Sequence, residues 1–441
     1  TINPTGTLSL TATSTTPITL VGGNIVNNGT LSATSSNTGA SAGITCGIPT
    51  IVPASATTYG YSGTGTLNIN LSASTTANSA AVNVTSLNAN TTYRMDFNEA
   101  TTNITLGATA ASYVFRSAGG TGISPLIIGG TGVTLGKSSP ATGGLLSVGA
   151  QSNVTVNAGT VLTMNSLATN VTAGIVGGNS STTATNFTNK GTINILGSST
   201  RPGLSFNIFS ATSNPVVSVV NIINEGVINV DMNISGISQG ALAVTNGFGG
   251  FPNAATVLNL TNAATGIMTL KNTSSIVGTG FSIFVDTAGQ INKSLITNNG
   301  ILNLQGTTHT FGSKISIDNN GTLNTNNELR SFTAINNNAT GSINFVKNAS
   351  TSLSRLVTFG GLASGTSGLL TSFARATVGS VYADANGNLF TVLVQKFNSF
   401  GNTLITNVVS TTDMSTIPST GTLTRQGVLD SGSNPTIAYT D

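Results

Sequence analysis

The sequence contains one pair of carboxylates close enough together to suggest acid–base chemistry. Asp96 and Glu99 lie in the segment YRMDFNEA, with Arg94 beside them. Cleavage of a glycosidic bond needs two carboxyl groups on opposite sides of that bond at a fixed separation. Carboxylates that are close only in sequence do not establish this geometry. We therefore favour an ion pair with Arg94 over a catalytic role for this segment.

A second group of residues matches the beginning of some calcium loops. Asp384, Asn386 and Asn388 offer oxygen ligands at alternate positions, which suits a calcium ion. A calcium loop also needs a bidentate Glu at its twelfth position, but that position here is Gln395, and the glycine is misplaced. We favour a hairpin turn at Asn386-Gly387. The sequence thus predicts no metal site and no cofactor.

The other chemically active residue types occur singly. His309 lies in GTTHTFG without Cys or clustered acids nearby, which favours a place on a strand surface over a role as ligand or base. Cys46 is the only cysteine and therefore has no partner for an internal disulfide; we expect it to be buried as a small apolar residue. The GGTG segments lack the GK[ST] sequence of a phosphate-binding loop. None of these features predicts a catalytic site.

The composition disfavours several classes of function. Only 6% of the 441 residues are charged, against roughly 25% in a typical soluble protein. The 14 cations and 11 anions give a net charge of +3, and the lysines are scattered singly rather than clustered as nucleic acid or anionic lipid would require. No apolar run approaches the length of about 18 residues that spans a bilayer. We predict neither an enzyme nor a nucleic-acid partner nor a membrane span.

Alternation of apolar and polar residues predicts strands along the chain. The segments TLNINLSAS, SNVTVNAGTVLTMN and KISIDNNGTLNT have period two and many β-branched residues. Gly and Asn separate such segments at short intervals, and both residue types tolerate the positive φ of a turn. Helical periodicity is nearly absent. Because 38% of the residues are hydrophobic, the chain can bury a core, and we predict an all-β fold.

The separating residues repeat as Asn-x-Gly followed by an alternating strand, as in NKGTINI, NEGVINV and NNGILNL. An earlier copy, NNGTLS, begins at Asn27. The glycines that mark the repeat in the middle of the chain are Gly159, Gly191, Gly226, Gly266, Gly300, Gly321 and Gly341. Their last two intervals are 21 and 20 residues, and the earlier ones run from 32 to 40. A coil of about 20 residues, with some coils unmarked or carrying insertions, would produce this pattern.

This repeat favours a parallel β-solenoid, because a single coil cannot bury its apolar face and stacking on the next coil does so. A series of β-hairpins is the alternative, since Asn-Gly is also a hairpin signal. The recurrence of x-Asn-x at one offset after each glycine favours the solenoid. The expected inward column contains Ile193, Ile228, Leu302, Leu323 and Ile343. The asparagines one step further on, which we expect to stack and hydrogen-bond along the axis, are Asn194, Asn229, Asn303, Asn324 and Asn344.

The ends of the chain differ in composition from the middle. We expect a β-solenoid over residues 131–349, a β-rich N-terminal region over residues 1–130 and a C-terminal β domain over residues 350–441. The C-terminal region begins with GGLASGTSGLL and then has the hairpin pattern VYADANGNLFTVLV. We expect β-sandwich-like or irregular β caps in both flanking regions, because a solenoid needs its open ladder ends covered.

The NNGTLN, NKGTIN and NEGVIN units resemble those of bacterial surface β-helix proteins, notably autotransporter passengers and polymorphic outer-membrane proteins. The resemblance covers roughly residues 130–349 and lies in the style of the repeat. It implies a right-handed parallel β-helix displayed outside the cell. The sequence departs from the autotransporter pattern because no C-terminal outer-membrane barrel follows. Surface-layer proteins are also similar, being rich in Thr, Ser, Asn and Gly.

The favoured function is that of a non-enzymatic extracellular or cell-surface protein that assembles with copies of itself into a surface layer, sheath or filament. Scarce charge removes the repulsion and the edge lysines that keep β proteins apart. The N-terminal segments GTLSLTA and TPITLVG are strand-like and could add to a neighbour's sheet. Because the chain begins with Thr, we expect a processed product whose export signal has been removed. The expected assembly residues are Leu8, Leu10, Ile18 and Leu20.

The alternative is a monomeric, autotransporter-passenger-like adhesin that binds host or surface ligands through exposed loops. The segment FGGF, with Phe248 and Phe251, is a candidate ligand patch. An ice-binding surface would need a regular Thr-x-Thr array, and a polysaccharide-degrading β-helix would need clustered Asp, Lys or Arg. The sequence has neither pattern. If self-assembly is the function, deletion of residues 1–20 is expected to leave the fold and abolish polymers.

Overall fold

The computed structural model of the chain consists of strands and their connections, with no helix among the residues that it describes. It describes residues 1–345 outside a set of gaps, and beyond them the backbone of seven strands. The gaps are 14–15, 48, 50–52, 77–78, 86–89, 100, 108–111, 118–123, 132, 136–142, 150, 167–173, 179–183, 209–218, 237–238, 247–256, 277–279, 286–293, 307–309, 312–314, 326–328, 331–333 and 338–339.

Each coil of the chain contributes one strand to each of three faces, which we number in chain order. The strands of the first face are β1 (Thr7–Ala12), β4 (Thr30–Ser35), β7 (Thr66–Asn70), β10 (Thr101–Thr105), β13 (Val133–Leu135), β16 (Val161–Ser166), β19 (Thr192–Ser199), β22 (Val227–Ile234), β25 (Ile267–Asn272), β28 (Ile301–Gly306), β31 (Thr322–Thr325) and β34 (Ser342–Phe345). They form two sheets, one from β1 to β10 and the other from β13 to β34.

The second face follows the first along the chain. Its strands are β2 (Ile18–Leu20), β5 (Ala42–Cys46), β8 (Ser79–Val84), β11 (Ser112–Ser117), β14 (Gly143–Val148), β17 (Ile175–Gly178), β20 (Leu204–Ile208), β23 (Gly240–Asn246), β26 (Phe281–Val285), β29 (Thr310–Phe311), β32 (Leu329–Arg330) and β35 (Arg355–Thr358). The first nine form one sheet, and the last three belong to a second sheet.

The third face completes each coil and has the longest sheet, with eleven strands. They are β3 (Asn24–Asn27), β6 (Thr57–Gly63), β9 (Thr91–Phe97), β12 (Ser124–Gly130), β15 (Ser152–Val156), β18 (Thr185–Asn189), β21 (Val219–Asn224), β24 (Val257–Asn262), β27 (Ser294–Asn298), β30 (Ile315–Asn319) and β33 (Ala334–Asn337). Within each sheet of the three faces, neighbouring strands pair in parallel, each with its counterpart in the next coil. The predicted all-β parallel solenoid is therefore confirmed.

Strict alternation of side chains along each strand builds the core. In β19, Ile193 and Ile195 are buried while Thr192 and Asn194 are half-buried on the outside. Parallel pairing in register repeats this pattern in the next coil, so that residues of like type stack directly on one another. Burying each such aliphatic side chain contributes roughly 1.5–3 kcal/mol. The first-face column that results is Leu162, Ile193, Ile228, Met268, Leu302 and Leu323, all buried.

The predicted inward column is thus confirmed for Ile193, Ile228, Leu302 and Leu323. Ile343 pairs in register with Leu323, although its side chain lies outside the described residues. Of the asparagines one step further along the strands, those at 194, 229, 303 and 324 point outward and are half-buried there.

The solenoid also includes most of the N-terminal region. On the third face, β12 pairs with both β9 and β15, so this ladder crosses residue 130 without a break. On the second face, β11 likewise joins β8 to β14. The region 1–130, for which we expected a β-sandwich-like or irregular cap, instead contains further parallel coils. Its aromatic residues lie in the same core, where the rings of Tyr61, Phe97 and Phe115 follow one another at centroid distances of 5.5 and 5.4 Å.

Antiparallel pairing is found only beyond residue 345 among the described residues. The remaining strands are β36 (Val381–Ala383), β37 (Leu389–Phe397), β38 (Thr403–Ser410), β39 (Thr424–Arg425), β40 (Leu429–Asp430) and β41 (Thr436–Ala438). In β36 and β37, Tyr382 is opposite Phe390, in agreement with the predicted hairpin. β41 pairs antiparallel with β35, which ends the run of parallel second-face strands.

The glycines of the repeat have a different role from the one that we expected. Among the described marking glycines, only Gly159 has a positive φ. At Gly226, a Cβ atom would instead collide with the carbonyl oxygen of Gly191 in the preceding coil. That carbonyl accepts a hydrogen bond from the Val227 amide at 2.8 Å, so the two coils cannot separate to make room. Glycine is required here for close backbone approach. Gly266, Gly300 and Gly321 meet backbone carbonyls in the same way.

We predict that Gly226→Ala lowers the free energy of unfolding by about 1–3 kcal/mol, because the added methyl group overpacks a corner that cannot move. The matched control is Gly47→Ala, whose Cβ atom would lie 3.5 Å from the nearest side-chain atom of Val21, an ordinary contact. Urea unfolding of both variants measures the difference. Equal stability of the two variants would contradict the steric role assigned to the repeat glycines.

Candidate functional site

A column of buried asparagines lies at the corner between the third and first faces. Each of these residues ends a third-face strand and precedes the corner glycine by two or more positions. All of them are fully buried, which is unusual for a polar side chain. The members of this asparagine ladder are Asn189, Asn224, Asn262, Asn298 and Asn319.

Hydrogen bonds between the side-chain amides connect the ladder from coil to coil. Nδ2 of Asn189 donates to Oδ1 of Asn224 at 2.8 Å, and the pattern continues through Asn262, Asn298 and Asn319 at 2.8, 2.9 and 2.7 Å. The same nitrogens also donate to main-chain carbonyls in the next coil. The carbonyls that accept these second bonds belong to Val227, Ile267, Ile301 and Thr322, at 2.9–3.1 Å.

This arrangement makes the corner specific to one register. A buried amide without partners would cost several kcal/mol, whereas a fully paired one contributes favourably. Any slip of one coil against the next would leave donors and acceptors of the ladder unpaired inside the core. The ladder therefore fixes which residue of one coil rests on which residue of the next.

From the sequence we expected asparagines at the corners, but not that they face inward. The signal was present in the alternation. In β18, Thr185 and Phe187 are the buried positions, and Asn189 continues their phase at the next alternate position. The same phase is visible in β24, where Leu258 and Leu260 precede Asn262.

Further asparagines stack on the outer surface. On the third face, Nδ2 of Asn186, Asn221 and Asn259 donates to Oδ1 of the asparagine in the preceding coil, at 2.7, 2.9 and 3.1 Å. Among the asparagines for which we expected stacking, Asn324 donates to Asn303 at 2.8 Å. These outer bonds run toward the N-terminal coils, opposite to those of the buried ladder. Because they are open to water, they stabilise the fold less.

The N-terminal coil exposes part of the apolar core at its edge. Leu8 in β1 pairs with Leu31 in β4 and continues the same inward column, yet 41% of its surface is exposed because no described strand covers this side. Leu10 is half-buried, and Val21 after β2 is 46% exposed. Ile18 and Leu20 are buried. Of the four expected assembly residues, Leu8 and Leu10 are thus accessible to a partner.

Polar contacts hold this edge coil in place. Ile2 bridges in parallel to Asn27, with its amide donating to the Val26 carbonyl at 2.7 Å. The buried hydroxyl of Tyr93 donates toward the carbonyls of Leu20 and Gly47, at 2.8 and 3.0 Å. It also accepts a hydrogen bond from the Gly22 amide at 3.1 Å. One side chain from the third coil therefore connects to both preceding coils, so that the edge is ordered although it is open.

The two carboxylates of the YRMDFNEA segment do not form an opposed pair. Asp96 lies on the outside of β9 and accepts a hydrogen bond from Nε of Arg94 at 2.7 Å, so the expected ion pair is present. The carboxylate oxygens of Glu99 are buried, and the Tyr61 hydroxyl is close enough to affect the pKa of Glu99. Cys46 is fully buried, as expected, and burial raises the pKa of its thiol far above the usual range.

Several candidate residues of the sequence lie outside the described residues. They are His309, the calcium-loop candidates Asp384, Asn386 and Asn388, and the patch residues Phe248 and Phe251. Within the described part of the chain, no group of three or more His, Cys, Asp or Glu side chains is positioned to hold a metal ion. Nor is there a helix there of the length and apolarity that crossing a bilayer requires.

The stacked three-strand coils define the chain as a protein of the parallel β-solenoid class. No protein-family model matches the sequence, and no curated protein or solved structure is significantly similar to it. We therefore infer the function from the features of this chain alone.

We predict that Asn262→Leu lowers the free energy of unfolding by about 2–4 kcal/mol. The substitution removes three hydrogen bonds inside the core: one of the two donated by Nδ2 of Asn224, and those accepted by Oδ1 of Asn298 and by the Ile301 carbonyl. Asn259→Leu, in the same strand but in the outer ladder, is the matched control and should cost less than about 1 kcal/mol. Urea unfolding compares the two. A loss of similar size in both variants would show that the buried ladder contributes no more to stability than the outer ladder does.

Proposed function

We propose that this chain is a non-enzymatic extracellular structural protein that assembles with copies of itself, as a surface layer, sheath or filament. The observation that carries the proposal is the open apolar edge at the N-terminal coil. Leu8 and Leu10 face the core, and the strand that contains them, β1, has a described partner on one side only. An ordered strand with one free edge and exposed core residues is a site for strand addition.

The second support is the low charge of the surface. Ordinary β proteins protect their free edges with lysine or with inward-pointing charge. β1 and β2 contain no charged residue. Elsewhere, two ion pairs of the described residues join neighbouring coils: Lys271 with Asp231 at 2.9 Å and Lys190 with Glu225 at 3.5 Å. Copies of the chain would therefore approach one another without strong repulsion.

The extracellular location is supported by the repeat style and the composition. Units such as NKGTIN and NEGVIN resemble those of bacterial surface β-helix proteins, and the solenoid architecture agrees with that resemblance. Several of the described asparagine and threonine side chains that line the coils hydrogen-bond to one another along the stack. Such a surface suits a structural role better than acid–base chemistry.

We predict that Leu8→Asp abolishes assembly, because a charge at the open edge must be desolvated before another strand can pair there. Ser9→Asp is the matched control: it adds the same charge to the next residue of β1, whose side chain points outward. Electron microscopy and light scattering of each purified protein over a range of concentrations measure assembly. Ordered polymers of the wild type and of Ser9→Asp, but not of Leu8→Asp, are the expected result.

Polymers of Leu8→Asp that match those of the wild type would overturn the role of this edge. Dispersed single rods of the wild type at every concentration would overturn self-assembly and favour the alternative, a monomeric adhesin passenger. The point substitution is a sharper test than deletion of residues 1–20. Such a deletion removes β1 and β2 but opens β4, whose Leu31 and Ala33 would form a new apolar edge of the same kind.

A further inference from the structure

The N-terminal coils close the corner between the third and first faces with groups other than paired asparagines. Asn27 occupies this corner in the first coil, where it is fully buried. Its Nδ2 donates to the Thr66 carbonyl in the next coil at 3.0 Å, as the ladder asparagines do to the carbonyls below them. Its other hydrogen bond goes to the hydroxyl of Tyr61, also at 3.0 Å. The phenol oxygen thus takes the place of the amide oxygen of a ladder asparagine.

The corner of the following coil differs from its neighbours in sequence. The corner of the second coil is Gly63-Thr64-Gly65, and there is no room for a side chain at Gly65. In the third coil the equivalent position carries Glu99, with one additional residue before β10. The Glu99 carboxylate is close to the Tyr61 hydroxyl, whose ring packs against Phe97 at a centroid distance of 5.5 Å. Asn27, Tyr61 and Glu99 therefore link the first three coils.

This cluster has more acceptors than donors. Three buried oxygens, Oδ1 of Asn27 and both carboxylate oxygens of Glu99, have no hydrogen bond of good geometry within the described structure. Nδ2 of Asn27 already donates twice, so the donors that remain near the carboxylate are the Tyr61 hydroxyl and the backbone amide of Glu99 itself. An ionised carboxylate in this place is costly, because neither a cation nor enough donors compensate for its lost hydration.

Tyr61 is the titratable side chain that faces Glu99. The neighbouring strands β3, β7, β10 and β12 contain no titratable residue. On β9 itself, Asp96 lies on the outside and is paired with Arg94. The protonation of Glu99 therefore depends on burial and on the Tyr61 hydroxyl rather than on a nearby charge.

We propose that protonation of Glu99 controls how tightly the first three coils are held together. The protonated carboxyl is neutral and supplies the donor that the cluster lacks, so the corner closes. The ionised carboxylate favours hydration, so the corner opens and loosens the Asn27 and Tyr61 contacts above it. If the proposed function holds, on which this step rests, the same proton also regulates the order of the N-terminal edge and hence the assembly of copies.

The direction of the pH dependence follows from the environment. Burial raises the pKa of Glu99 above its ordinary value of 4.5, and the Tyr61 hydroxyl and the backbone amide of Glu99 offset part of this increase. The closed corner thus binds the proton more tightly than the open one does. Its stabilisation is complete below about pH 4.5 and is lost as the pH rises from there through the raised pKa. Each unit by which the pKa is raised corresponds to a tenfold change in the opening equilibrium.

The test is hydrogen–deuterium exchange of peptides that cover residues 57–70 and 91–105, compared as protection factors at pH 4 and pH 8. Every sample is kept at a concentration at which light scattering detects no polymer, so that assembly does not affect the exchange. We expect protection in these peptides to fall at least several-fold at the higher pH. In Glu99→Gln, which is neutral at both pH values, protection should not change with pH. Asp96→Asn is the matched control, since it removes the other carboxylate of the segment, and should follow the parent.

A parent protein whose protection in these peptides is independent of pH would overturn the proposal, as would a Glu99→Gln variant that keeps the parental profile. Tyr61→Phe provides a second test: loss of the hydroxyl should move the fall in protection to higher pH. In the assembling wild-type protein, the switch further predicts more polymer at the lower pH. If protection changes as expected but polymers are equally abundant at both pH values, the link to assembly is wrong, while the proton-dependent closure of the corner is supported.

Discussion

The structure depends on one requirement, that each corner between the third and first faces lies directly on the corner of the preceding coil. Two residues meet this requirement together. The buried asparagine supplies two donors and one acceptor along the stack, and the glycine after it lets the main chains approach within hydrogen-bonding distance. The corner thereby sets the register of the strands in the coil, because a strand that begins at a fixed corner has a fixed register.

A fixed corner allows the rest of the coil to vary. Successive ladder asparagines are separated by 35, 38, 36 and 21 residues, yet they remain in direct contact. Of our two explanations for the long intervals, unmarked coils or insertions, insertions apply: each interval is one coil, and the connections differ in length. Insertions around the second face change the perimeter of a coil without changing its corner, since loop length costs little free energy once the ends are fixed. Such a stack tolerates variation in its loops.

Much of the fold could be predicted from the sequence because alternation and corner spacing are local properties. The stacking of Ile193, Ile228, Leu302 and Leu323 follows from them directly. The sequence does not show why a corner needs glycine, because a positive φ and the close approach of another coil both require this residue. Nor does a pattern show which residues are exposed where a stack ends: Leu8 and Leu20 both lie in edge strands with the same alternation, but only Leu8 is exposed. The contact of Tyr61 with Glu99 joins different coils and has no sequence signal.

The opposite senses of the two asparagine ladders have an electrical consequence. A side-chain amide carries a dipole comparable to that of a peptide unit, about 3.5 D. In the buried ladder these dipoles lie in series and point toward the C-terminal coils. In the outer ladder, on the same strands β18, β21 and β24, they point toward the N-terminal coils. Antiparallel dipoles side by side attract and largely cancel, so this stack can lengthen coil by coil without accumulating the axial field that an α-helix of similar length would carry.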